Sequence, residues 1–280
     1  MAPSIDTLTS PTLKYLRERW WNDDFTDFLA ETLRPRPGNR ILDVGCGEGT
    51  AEVRIGRLHV SQMRMVGIDL MIERLMVARH QTAGHNLRVA YATADARRLP
   101  FRDGAFDSTF CVAVLQHIAD VEEAISEFAR VTATGGRIVA VEPDNAARSL
   151  YSSSAAGKEA FDVSNRFFAA LTAARGDRTD AAVGPRLPHL FVRHGIDPLT
   201  VRLFPVSVVQ LGPPSAEVWA RRRATAEQAV ETAPTDALRG LGHEYLESLD
   251  RYAGEAVREP AGFVEIQNTM LFGTVGQKRD

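Results

Sequence analysis

The sequence has few cysteines and lacks any long apolar run. Only Cys46 and Cys111 occur among its 280 residues, too few for a disulfide framework and without the spacing of a cysteine metal site. The first residues lack the basic and then apolar layout of a signal peptide. No apolar run reaches membrane-spanning length. We therefore expect a cytoplasmic protein that has no membrane partner.

The sequence also lacks an excess of charge of either sign. Lysine and arginine total 33, aspartate and glutamate 36, and the formal net charge is −3. The chain as a whole therefore has no electrostatic attraction to nucleic acid or to anionic lipid, and we expect no nucleic-acid partner. Nothing in the composition indicates an oligomeric state.

Between residues 40 and 145 the sequence has a regular alternation of strand and helix patterns. Five apolar runs predict strands at Arg40–Val44, Arg64–Asp69, Leu87–Thr93, Phe106–Val114 and Arg137–Glu142. Helices are predicted at Thr50–Leu58 and Leu70–His80, and a third has a capping box at Asp120 and Glu123 and ends at Gly135-Gly136. This alternation favours a doubly wound, mostly parallel α/β sheet, which binds ligands beyond the carboxyl ends of its strands.

The remaining segments are less regular. They predict a helix at Pro185–His194, two helices broken near Pro234, and strands at Leu199–Val209 and Phe263–Val275. We interpret residues 1–280 as one domain whose core comprises residues 38–145, 199–212 and 262–276. The helical segments 1–37, 146–198 and 213–261 are predicted to attach at or beside the ligand edge as lids.

A glycine-rich turn, ILDVGCGEGT at residues 41–50, joins the first strand to the first of these helices. It lacks the Gly-Lys-Ser/Thr ending of a phosphate-binding P-loop, and its glycines are too closely spaced for the usual dinucleotide loop. Asp43 and Glu48 flank the turn and would repel a pyrophosphate. A positively charged ligand fits this loop better, and a tight turn without a ligand is the alternative.

Two further acids follow the next two strands. Asp69 lies 20 residues beyond Gly49, where a carboxylate can accept both hydroxyls of a ribose. Asp95 follows the third strand, where it can accept from the amino group of adenine. A solvated turn aspartate and a helix or turn cap are the respective alternatives.

Taken together, the motifs resemble a known family. ILDVGCGEGT, GIDL, ATADARRLPF, FDSTFCVAVLQHI and TATGGRIVAVEPD are similar, in this order, to the motifs of class I S-adenosylmethionine-dependent methyltransferases. Within that family the chain is most similar to small-molecule methylases of quinone and natural-product biosynthesis. The resemblance covers residues 38–145 and implies a Rossmann-like, seven-stranded sheet with an antiparallel last strand.

The resemblance also implies a cofactor and its ligands. The cofactor would be S-adenosyl-L-methionine, with S-adenosyl-L-homocysteine as product. The loop after the first strand would hold the methionine portion of the cofactor, and the end of the second strand would hold the ribose. The end of the third strand would bind the adenine, and the end of the fourth strand would line the site. The cofactor-binding residues implied in this way are Asp43, Gly45, Cys46, Gly47, Asp69, Leu70, Asp95, Ala96, Cys111 and Val112.

Methyl transfer from a sulfonium requires mainly that the acceptor is aligned and water excluded. His117, just past the fourth strand, is the candidate general base, and Glu142 at the end of the fifth strand is a weaker catalytic candidate. The aromatic residues predicted to line a substrate pocket are Tyr15, Trp20, Phe161 and Phe168. Because the histidines lack ligand spacing, we expect no metal.

The leading interpretation is thus a methyltransferase that acts on a small, partly apolar metabolite, with no prediction of the accepting atom. One alternative is a fold that binds the cofactor without methylating, as a cyclase-like catalyst or a ligand-binding module. A nicotinamide-dependent oxidoreductase is a weaker alternative, because the glycine spacing and the flanking acids disfavour it.

Overall fold

The computed structural model describes residues 20–58, 63–83, 85, 88–174 and 179–280. Tyr15, one of the predicted substrate residues, lies outside these residues. The elements are numbered below in chain order within the part of the chain that the structure describes.

Among the described residues, seven strands form one sheet. They are β1 (Arg40–Val44), β2 (Arg64–Asp69), β3 (Val89–Thr93), β4 (Phe106–Val112), β5 (Thr132–Ser152), β6 (Ile196–Leu211) and β7 (Val264–Lys278). All seven were predicted from the sequence, but β5, β6 and β7 are longer than expected.

Eight α-helices and one 3₁₀ turn accompany the described strands. The helices are α1 (Asp23–Leu33), α2 (Thr50–Gly56), α3 (Ile72–Ala83), α4 (Val121–Val131), α5 (Ala155–Ala174), α6 (Val183–Arg193), α7 (Ala216–Glu231) and α8 (Asp236–Arg258). The 3₁₀ turn covers Leu115–His117.

The strand order is β3-β2-β1-β4-β5-β7-β6. β1 pairs in parallel with both β2 and β4, and the β2–β3 and β4–β5 pairs are parallel as well. The sheet order therefore reverses between β1 and β4: the connection after β1 leads to β2 and the one after β4 leads to β5, in opposite directions, which opens a crevice at the carboxyl edge. The sheet is Rossmann-like with an antiparallel last strand, which confirms the predicted fold class.

The core lies on both faces of the sheet, because alternate residues of a strand point to opposite sides. Leu42 and Val44 of β1 belong to one buried cluster, which α4 and α6 cover. Ile41 and the β5 residues Val139 and Val141 belong to the other, which includes buried side chains of α1 and α2.

The predicted ends of α4 are wrong in two respects. Asp120 is the N-cap residue, but its side chain makes no capping hydrogen bond, and its carboxylate lies 3.9 Å from Arg97 instead. The helix ends at Val131, before the Gly135-Gly136 pair, because Thr132 takes extended backbone angles and begins β5 directly. The Thr132 hydroxyl lies 2.7 Å from that of Thr109 on β4, which ties this point to the sheet.

The chain separates into two compact units. The first comprises residues 1–147, 178–206 and 270–280, and the second residues 148–177 and 207–269. The second unit holds α5, α7 and α8, which pack through two buried clusters of their own. Three of the four boundaries between the units fall within β5, β6 and β7. The single-domain interpretation with lid segments stays a prediction.

Candidate active site

The glycine loop between β1 and α2 bends through the left-handed region of backbone space. Gly45, Gly47 and Gly49 have φ angles of 74°, 56° and 83°, which glycine adopts without steric cost. At Gly45 a Cβ atom would also lie 2.4 Å from a methyl carbon of Val114. Glycine is therefore required here for both backbone angle and space.

Hydrogen bonds connect this loop to the end of β2. The amides of Gly45 and Cys46 donate to the carbonyl of Ile68 at 2.7 and 2.9 Å. The Gly47 amide donates to one carboxylate oxygen of Asp69 at 3.0 Å. The other oxygen of Asp69 accepts from the Met71 amide at 2.9 Å. Asp69 thus holds the carboxyl ends of two neighbouring strands together.

Glu142 supports the loop after β4 in a similar way. Its side chain is fully buried, and its oxygens accept from the amides of Val114 and Leu115 at 2.8 Å and of Gln116 at 3.3 Å. The Cys111 thiol lies 3.7 Å from the same carboxylate. Burial raises the pKa of Glu142 to about 7, although the amides act in the opposite direction.

A cavity of about 470 Å³ opens at this edge of the sheet. Most of the predicted cofactor-binding residues line it, namely Asp43, Gly45, Cys46, Asp69, Leu70, Asp95, Ala96 and Val112. Gly47, Cys111 and Glu142 are not in its lining. Cys111 and Glu142 are buried behind its wall, so Glu142 supports the wall and its catalytic role stays an unsupported prediction.

The acids of the cavity differ in their surroundings. Asp95 is partly exposed and accepts from the Arg97 guanidinium at 2.7 Å, which lowers the pKa of Asp95. Asp69 lies 3.7 Å from Arg74, a half-buried cation that also lines the cavity. Asp43, at 3% exposure, is buried more deeply.

Glu52, which the sequence analysis did not single out, lies beneath Asp43. It is on the buried face of α2 together with Ala51 and Ile55. Burial raises the pKa of Glu52 to about 7, and burial with the adjacent acids raises the pKa of Asp43 well above its usual range. Its helical spacing from Ala51 and Ile55 is the signal that could have placed it on the apolar face.

The catalytic and substrate candidates are placed as follows. His117, in the 3₁₀ turn, and Trp20, before α1, both line the cavity. Phe161 and Phe168 lie in the second unit on α5. Phe168 packs 5.1 Å from Phe167, between ring centres, within the core of that unit. Their roles stay predictions.

Within residues 20–58, 63–83, 85, 88–174 and 179–280, no group of three histidine, cysteine or acidic residues has a metal-binding arrangement. Over the same residues, none of the helices combines the length and apolarity required to cross a bilayer.

The strand order, the glycine loop and the acids at successive strand ends define the class of this fold. It is a Rossmann-like α/β domain of the type that binds a nucleoside cofactor at the carboxyl edge of its sheet.

Known proteins that are similar to this chain indicate which family of nucleoside-binding α/β domains it resembles. Residues 42–140 match a family described as a methyltransferase domain. Demethylmenaquinone methyltransferase of Thermus thermophilus is 32% identical over 142 residues, 51% of this chain and 62% of that protein. The 27-O-demethylrifamycin SV methyltransferase of Amycolatopsis mediterranei is 32% identical over 135 residues, 44% of this chain and 49% of that protein. The chain thus spans less than two thirds of the length of these curated relatives.

A solved structure extends the likeness to the rest of the chain. The structure of the 4+2 cyclase SpnF has a TM-score of 0.54 at 19% identity, covering 100% of this chain and 98% of that one. At that identity the likeness establishes the fold alone. The family match and the curated relatives identify residues 42–140 as a class I S-adenosylmethionine-dependent methyltransferase domain, which confirms the resemblance of the motifs and the cofactor class.

Proposed function

We propose that the protein transfers a methyl group from S-adenosylmethionine to a small, partly apolar metabolite. The observation that carries the proposal is the cavity at the carboxyl edge of β1, β2, β3 and β4. Acids at three successive strand ends, Asp43, Asp69 and Asp95, line it together. S-adenosylmethionine carries an ammonium group, a sulfonium, ribose hydroxyls and an adenine amino group, and carboxylates bind each of these favourably.

The rest of the lining supports an apolar acceptor. Trp20, Trp21, Ile118 and Val114 contribute apolar surface to the same cavity. Apolar walls with a few polar groups are typical of small-molecule sites. Both curated relatives are named as methyltransferases of small organic molecules, which supports this substrate class.

Methyl transfer requires little from the protein beyond the placement of the acceptor against the methyl group of the cofactor. The cofactor, when bound, supplies an electrophilic methyl group on a good leaving group. Asp69, already hydrogen-bonded to the Gly47 amide, would hold the ribose, and the apolar walls would exclude water from the transfer path. His117 lines the cavity and would remove a proton from a hydroxyl or ammonium acceptor.

Calorimetric titration with S-adenosylhomocysteine tests the cofactor step. We expect wild-type protein to bind it and Asp69→Asn to bind roughly 10- to 100-fold more weakly, because a charged acceptor of hydrogen bonds is lost. Asp103→Asn is the matched control, because its side chain is 80% exposed and outside the cavity lining. Absence of binding, or equal affinity in both variants, would refute the proposed site.

Mass spectrometry tests the transfer step. Incubation with S-adenosylmethionine and apolar hydroxylated or quinone-type compounds should yield a product heavier by one methyl group in place of hydrogen. Binding of S-adenosylhomocysteine without any methylated product would favour a cyclase-like catalyst or a ligand-binding module. Binding of NAD in its place would favour an oxidoreductase.

A further inference from the structure

Glu52 is a carboxyl group buried without a protein donor. Its side chain has 0% exposure, and neither of its oxygens has a hydrogen-bond partner among the described residues. A buried, unpartnered carboxylate costs several kcal/mol and is therefore either neutral or compensated. Gly67 of β2 leaves room for it, since a Cβ atom there would lie 2.5 Å from Glu52 Oε1.

The nearest titratable neighbour of Glu52 is Asp43. The register of β1 and β2 pairs Asp43 with Gly67, the residue against which Glu52 Oε1 lies, so the two carboxyl groups are neighbours. Asp43 also lines the cavity. No hydrogen bond between described residues ends on the Asp43 carboxyl group. Two adjacent carboxylates cannot both ionise readily, whereas one proton between them satisfies both.

The other charged or titratable groups packed around the pair do not replace that proton. Asp69, at the end of β2, adds a further negative charge. The Cys46 thiol, the Cys111 thiol and the Tyr91 hydroxyl are neutral neighbours from the glycine loop, β4 and β3. Arg74 on α3 is the adjacent cation, and its guanidinium lies 3.7 Å from Asp69.

We propose that Asp43 and Glu52 share one proton, that Glu52 thereby orients Asp43 toward the cavity, and that this proton leaves when the cofactor binds. The cofactor's identity rests on the proposed function. Binding brings an ammonium group to the open side of Asp43, and the added positive charge makes two carboxylates favourable. The pair changes from one net negative charge to two, and the proton passes to the solvent. Glu52 is a positioning residue, because it acts on the ligand through Asp43.

This proposal predicts proton release that calorimetry can count. S-adenosylhomocysteine is titrated into the protein in buffers of different ionisation enthalpy, from about pH 6 to about pH 8. Wild-type protein should release up to one proton per ligand, with affinity rising by up to about tenfold per pH unit below the apparent pKa of the pair. Glu52→Gln, whose amide still donates to Asp43, should bind without proton release and with little pH dependence.

The matched control is Glu31→Gln, an exposed acid on α1 outside the cavity lining, which should release protons like the wild type. Ligand binding by wild-type protein without proton release would overturn the proposal, as would unchanged release from Glu52→Gln.

A second measurement needs no ligand. Because the buried Glu142 also has a raised pKa, the infrared spectrum is recorded on free Glu142→Gln protein, which should contain a protonated-carboxyl band that titrates near neutral pH and is lost when Glu52→Gln is added. Absence of binding together with that band would refute the proposed function and leave the shared proton standing. Binding of S-adenosylhomocysteine without that band would support the proposed function and refute the shared proton.

Discussion

Replacement of Glu142 by glutamine should change the stability of the protein in a pH-dependent way. Glutamine has the same shape, and its oxygen can keep the bonds from the Val114 and Leu115 amides, both of which end on Oε1. Its amino group then takes the place of Oε2 and faces the Gln116 amide at 3.3 Å. Two donors that face each other lose one hydrogen bond, at a pH-independent cost of about 1–2 kcal/mol.

The pH-dependent part follows from the carboxyl group of the wild type. Burial raises the pKa of Glu142 from 4.5 to about 7, so the folded protein binds more protons than the unfolded chain between these values. The corresponding stability is present below about pH 4.5 and is lost as the pH rises through about 7. Glutamine does not ionise. The free energy of unfolding of Glu142→Gln should therefore improve relative to wild type by about 2.5 kcal/mol between about pH 5 and about pH 8.

Urea unfolding followed by circular dichroism at these two pH values measures this difference. Glu142→Gln should be the less stable protein at the acidic value and the more stable one at the alkaline value. Glu52 titrates in both proteins and cancels from the comparison, and the exposed Glu31→Gln supplies the baseline. A difference in free energy that is the same at both pH values would refute the assignment of a raised pKa to Glu142.

Three further substitutions test other parts of the structure. Gly45→Ala should abolish cofactor binding in calorimetry, because its Cβ would lie 2.4 Å from a valine methyl carbon, whereas Gly38→Ala has the same sign of φ with open space around it and should retain binding. His117→Ala should lower the methyl-transfer rate about 100-fold if the acceptor needs a base while S-adenosylhomocysteine binds as before, and an unchanged rate would remove His117 from the mechanism. Arg222→Met should cost about 3–5 kcal/mol in thermal unfolding, because it removes the cation that contacts the buried carboxylate of Glu265 at 2.7 and 2.8 Å and leaves that charge with neutral donors alone. Substitution of Glu265 by leucine in the same chain should recover most of that loss.

The parallel core was predictable from the sequence because its signals are local. The apolar run Arg64–Asp69 is also the observed β2, and a glycine turn followed by a helix is visible in consecutive letters. The same holds for Asp43, Asp69 and Asp95, because strands that run in parallel end at one edge of a sheet. Their joint lining of one cavity followed from topology alone.

Other features depend on what packs against a residue, which a linear pattern does not contain. β5 extends to Ser152, ten residues beyond its predicted end, through a polar stretch without strand periodicity. Glu142 was a catalytic candidate because it ends a predicted strand, yet its oxygens are taken by amides of the neighbouring loop. Phe168 is a candidate for a substrate pocket, and it is partly buried against an apolar cluster of the second unit; its role in substrate binding stays a prediction.

The hydrogen bonds of the glycine loop have a consequence for the charge of the ligand. Loops that bind phosphate direct a series of free amides toward the anion as a nest of donors. Here the amides of Gly45, Cys46 and Gly47 donate to Ile68 and Asp69, and that of Gly49 donates to the carbonyl of Cys46 at 3.1 Å. These four donors are therefore used within the protein and are not directed toward the cavity. The backbone thus offers an anion fewer donors at this turn, in addition to the repulsion from the acidic side chains.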